Sequence, residues 1–165
     1  MMTKRLTRLA ILTALACVLR LVFGAFPNVK PIAALFFVLI LAYGLADAII
    51  VSSLTMVVTG FLMGFSVIIL GQMISYALIL SLGALVFKWI KPIFLRTLVI
   101  FGLTMLYGVL ISIFSARLFG SPILPFWLSG LTFDLAHAVS TALFFPILVT
   151  IFKNILKHDT ESDAT

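Results

Sequence analysis

A chain of 165 residues that is 64% hydrophobic and only 10% charged, with a mean hydropathy of +1.34, carries more apolar surface than a soluble domain of this size could cover with charge. Its net charge of +6 falls at helix ends rather than along one exposed stripe, which argues against nucleic acid and for membrane topology. A single cysteine, Cys17, excludes an internal disulfide and a zinc-type cysteine cluster, and reads as a small packing residue.

The composition predicts an all-α integral membrane protein with six transmembrane helices. Residues 1–156 form one transmembrane domain, followed by a disordered polar cytoplasmic tail at 157–165. Lys4, Arg5 and Arg8 ahead of an apolar run imitate a signal peptide. The run continues past Cys17, however, so a retained first helix over residues 6–23 is expected. It stops at Phe26-Pro27-Asn28-Val29-Lys30-Pro31, where two prolines stiffen the backbone and forbid helix continuation. A short second span covers 32–43 and ends at Gly44. The third covers 46–63 and closes at Gly64-Phe65-Ser66. The fourth covers 67–87, the fifth 95–114, and the sixth 129–152, with Pro146 as an expected kink.

Eight basic residues (Lys4, Arg5, Arg8, Lys88, Lys91, Arg96, Lys153 and Lys157) fall on the side of the termini. Three (Arg20, Lys30 and Arg117) fall opposite. Excess Lys and Arg mark the cytoplasm, so both termini are expected there, in a prokaryotic plasma membrane, with the Pro27–Pro31, Gly64 and Gly120–Trp127 connections facing outward.

A few polar residues interrupt the apolar spans. Asp134 and His137 are three apart on one face of the sixth span, and Thr141 extends that face by a turn. Ionisable groups at such depth either satisfy each other or face a cavity or partner. Gln72 and Tyr76, four apart, could present an amide and a phenol to the interior or bond between helices. Asn28 and Lys30 sit between prolines, where a stiff loop lowers the ordering cost of binding. Asp47 suits the start of the third helix. Ala10 and Ala14 stack on one face of the first helix and would let another helix approach closely; Gly60 and Gly64 repeat that spacing.

The chain has no Walker phosphate loop, no credible Ser/His/Asp set, no metal cluster, no selectivity filter and no paired halves with broken helices. An enzyme is therefore not expected, nor a resident cofactor.

Taken in order, these features resemble the substrate-binding (S) component of energy-coupling factor (ECF) vitamin transporters. The similarity rests on six spans, Ala10-x-x-x-Ala14, the loop Phe26-Pro27-Asn28-Val29-Lys30-Pro31, Gly71-Gln72-Met73 after the third turn, and Asp134-Leu135-Ala136-His137-Ala138. The resemblance implies a high-affinity vitamin-capture subunit that works with a transmembrane T component and two ABC-type ATPases. It implies that Ala10 and Ala14 meet the T component, and that Asn28, Lys30, Phe65, Gln72, Tyr76, Trp127, Asp134 and His137 form the substrate pocket. The Pro-Asn-Val-Lys-Pro and Asp-x-x-His stretches look most like the cobalamin branch. Riboflavin, folate, thiamine, pantothenate and queuosine-precursor branches share the architecture. A membrane scaffold subunit without a ligand is the reading from a different class.

Overall fold

A computed structural model describes the backbone of residues 2–25 and 29–162, and side chains over 3–24 and 29–156. Among the described residues every regular element is helical. There are six α-helices: α1 (Met2–Val22), α2 (Ile32–Tyr43), α3 (Leu45–Met63), α4 (Ile68–Phe87), α5 (Ile93–Leu118) and α6 (Ile123–Ser162). A 3₁₀ turn, Phe23–Ala25, follows α1. Four of them (α3, α4, α5 and α6) are long and apolar enough to cross a bilayer.

The sequence of α2, Ile-Ala-Ala-Leu-Phe-Phe-Val-Leu-Ile-Leu-Ala-Tyr, has no polar face. A helix apolar all round is driven to be surrounded, and residues 33–37 are 0% exposed. Twelve residues rise about 18 Å, short of the roughly 30 Å of bilayer hydrocarbon. This expected second span is thus a central core helix too short to cross alone. Around it α1 packs on α3, α3 on α4, α4 on α5 and α5 on α6, while α2 touches α1, α3, α4 and α6. The ring is open between α6 and α1, where a groove floored by Leu35 and Tyr43 of α2 runs along the surface.

Gly44 alone joins α2 to α3. Its φ of 95° lies where an L side chain is strained, and its N–H closes α2 on Leu39 O and Ile40 O, each at 3.1 Å. Just beyond it, Asp47 is buried in the first turn of α3. Its Oδ1 accepts from Arg5 Nη2 at 2.6 Å and its Oδ2 from Arg8 Nη2 at 2.7 Å. The helix-start residue thereby also pins the first turns of α1.

Several expected boundaries move: α1 begins at Met2, α5 runs to Leu118 rather than 114, and α6 changes at both ends. α6 begins at Ile123, not 129, so the stretch read as a Gly120–Trp127 loop is mostly helix. Pro122 lies just before the helix, and Pro125 falls in its first turn, where backbone N–H groups have no intrahelical acceptor to lose. α6 also continues through the expected disordered tail to Ser162. No glycine or proline follows Pro146 to end it.

Candidate functional site

The connection after α1 and the helices bring Arg20, Lys30, Ile32, Met56, Gln72, Tyr76, Tyr107, Ile111, Asp134 and His137 around one cavity of about 160 Å³. They come from the end of α1, the start of α2, the later part of α3, the start of α4, the later part of α5 and the early part of α6. Successive helices alternate direction, so these segments share the end of the bundle opposite α1's N-terminus.

Arg20 is the centre of the polar wall. Its Nη2 donates to Gln72 Oε1 at 3.3 Å, and Nη1 points onto the Met56 sulfur. Lys30 stands across from it. Burial holds the Lys30 ammonium below its usual pKa, and the positive charge of Arg20 lowers it further. Two cations, with no ion pair to either among the described residues, outnumber the one carboxyl of the cavity, Asp134, and so favour an anionic guest.

A ring ladder forms the opposite wall. Phe36 meets Tyr76 edge-on at 5.2 Å, Tyr76 lies against Tyr107 at 4.4 Å, and Tyr107 against His137 at 5.8 Å. The buried His137 carbonyl accepts the Thr141 hydroxyl at 2.7 Å and the Ser140 hydroxyl at 2.9 Å. Thr141, expected to extend the polar face, therefore bonds back to its own helix.

Asp134 occupies the space a side chain at position 108 would need: a Cβ on Gly108 would collide with the carboxyl group. Glycine at 108 lets α5 lend bare backbone to seat the carboxyl from α6 in this position. The Trp127 indole N–H faces the same carboxyl, and neither Trp127 Nε1 nor Asp134 Oδ2, both buried, has another protein partner.

Of the eight residues expected from sequence, Lys30, Gln72, Tyr76, Asp134 and His137 line this cavity. Trp127 sits behind Asp134 on the second turn of α6 rather than in a loop. Phe65 is 60% exposed on the connection after α3, its ring against Phe61 at 5.2 Å, away from the cavity. The resemblance implies a place for it in the pocket, but the connection at Gly64 carries it outward. Asn28 lies outside the described residues. Ala10 and Ala14 are both exposed on α1.

Arg20 was the main omission, having been weighed only as a topology charge. The signal existed, because a guanidinium at the end of an apolar helix needs a partner for the same reason as Asp134. Tyr107 carries the signal of Tyr76, a phenol inside an apolar helix; Met56, Ile32 and Ile111 carry none.

Among the described residues no cluster of His, Cys, Asp and Glu is placed to hold a metal ion. The chemistry available is recognition: two cations, an amide, two phenols, an imidazole and a carboxyl around a small enclosed space. Comparison with protein-family models, curated proteins and solved structures finds no match to this chain.

Proposed function

We propose that this chain is the substrate-capture subunit of an ECF-type importer, binding a small vitamin in the Arg20–Lys30 cavity and depending on a T component and two ATPases for energy. The observation that carries the reading is the convergence of Arg20, Lys30, Gln72, Tyr76, Asp134 and His137 on one cavity in an otherwise apolar bundle. Lipid would expel such groups, so their retention at one site calls for a guest.

In this reading the protein sits in a prokaryotic plasma membrane, with both termini cytoplasmic and the cavity facing outward. α1 serves as a span, since Lys4, Arg5, Arg8 and Arg20 lie near its two ends. α2 completes six crossings inside the protein, where irregular backbone at its ends meets other helices rather than lipid. The exposed Ala10–Ala14 face is free to accept a helix of the T component.

The cavity also bears on the substrate. A space of about 160 Å³ with two cations suits a small carboxylate-bearing vitamin such as pantothenate. Cobalamin, favoured by the loop sequences, is far larger than this space.

Mass spectrometry of small molecules released from the purified protein tests this directly. A stoichiometric small anionic vitamin is expected, and calorimetry should return its affinity. A retained corrinoid, visible by its colour, would reverse the substrate assignment. No vitamin bound at any concentration tested would leave the scaffold reading in its place.

A further inference from the structure

We propose that the groove between α1 and α6 is a binding site for one anionic phospholipid. It encloses about 1010 Å³, far more than the polar cavity, and its two ends differ in chemistry. Thr3, Lys4, Thr7 and Arg8 gather at the N-terminal end of α1. Beyond them the walls are Ile11, Leu12, Leu15 and Leu19 from α1, with Leu148, Ile151 and Ile155 from α6.

The length fits one acyl chain. From Arg8 to Leu19 the helix rises about 16 Å at 1.5 Å per residue, close to the half-thickness of a 30 Å hydrocarbon core. At the far end the groove is capped where Phe23 meets Phe144 edge-on, with ring centres 5.9 Å apart. An apolar slot one leaflet deep with a basic mouth matches an acyl chain beneath a phosphate.

The mouth supplies charge. Asp47 is already engaged by Arg5 and Arg8, which leaves the positive charge in excess. Lys4 is exposed and forms no ion pair among the described residues. Arg8 lies over the Tyr43 ring at 4.1 Å and uses Nη2 on Asp47. Its side chain is 36% exposed, so a phosphate oxygen can reach the guanidinium. A neutral headgroup would gain less from this mouth than phosphatidylglycerol, which carries net negative charge.

The test uses the full chain in mild detergent, incubated with equal amounts of phosphatidylglycerol and phosphatidylcholine and examined by native mass spectrometry. At least a fivefold excess of phosphatidylglycerol adduct is expected. Lys4→Glu, an exposed change that leaves folding intact, should abolish that preference, and Leu15→Trp should cut adduct formation by filling the slot. Lys88→Glu, an exposed change after α4 at a residue that does not line the groove, should change neither. Equal retention of the two lipids, or a preference surviving both Lys4→Glu and Leu15→Trp, overturns the proposal. A photo-crosslinking residue at Ile151 separates the occupants in native membranes. A lipid adduct is expected; a crosslink to a second copy or to another protein would assign the groove to that partner instead.

Discussion

Arg20 and Lys30 present two cations to one cavity, and their side chains differ in what they can give up. A guanidinium stays charged at any accessible pH, whereas an ammonium can yield its proton. Since burial and Arg20 lower the Lys30 pKa, the folded state disfavours charged Lys30 relative to the unfolded chain. That penalty is fully present below the lowered pKa. It fades as pH rises from there towards the ordinary 10.5, so apo stability should increase across this window. An anionic ligand acts the other way by favouring the charged form, and its affinity should fall as pH rises through the same window. Lys30→Gln is expected to raise the melting temperature of the apo protein while weakening ligand binding; a variant losing both would make Lys30 a structural residue. Arg20→Ala should weaken binding by on the order of 1–3 kcal/mol, the cost of stranding hydrogen-bonded groups. Calorimetry would register that as a rise in Kd of roughly fivefold to 150-fold, since tenfold corresponds to about 1.4 kcal/mol. Gln72, Tyr76, Asp134 and His137 were legible from sequence because a polar group in an apolar helix demands an explanation. Tyr107 offered the same signal as Tyr76, whereas Met56 fits its helix comfortably and offered none.

Helix pairs make the next scale, and α5–α6 is the pair on which the site depends. Gly108 is buried beneath the Asp134 carboxyl, so Gly108→Ala forces the helices apart or displaces the carboxylate. Overpacking of this kind typically costs about 1–3 kcal/mol. Asp134→Ala removes the obstacle, and the double variant should be more stable than the sum of the two single losses predicts. Denaturation in detergent measures this; strict additivity would mean that the two positions do not meet. At the other end of the bundle α1 presents Ala10 and Ala14 outward, beside the proposed lipid groove. Ala14→Trp should leave ligand binding by the isolated chain unchanged yet abolish ATP-driven uptake in the assembled transporter, through steric exclusion of the partner helix. Normal uptake would remove the docking role from this face. Helix existence was readable from apolar run lengths, but α6 was underestimated at both ends. Pro122 and Pro125 resemble loop punctuation in a sequence, and only their place before and within a first turn makes them compatible with helix.

For the whole molecule, the asymmetry of charge carries the orientation proposed above. With Cys17 replaced, a cysteine introduced at Asn28 should react with a membrane-impermeant reagent applied outside, and one at Lys91 should not. The reverse pattern would turn the bundle over and place the Arg20–Lys30 cavity on the cytoplasmic side. Composition and the spacing of apolar runs by themselves determined that the chain is helical and membrane-suited, because backbone groups in lipid must be satisfied within a segment and side chains facing lipid must be apolar. They also nominated most of the polar cavity, since ionisable groups in such segments are costly wherever they point. Tertiary structure alone decided that α2 is a core helix encircled by the others, that Arg20 joins Gln72 across two helices, that Phe65 turns away, and that α1 and α6 leave a groove between them. Those outcomes depend on helix rotation and neighbour choice. In a chain apolar on nearly every face, hydrophobic patterning does not distinguish the side that meets protein from the side that meets lipid. Close packing, as where Gly108 admits Asp134, makes that choice.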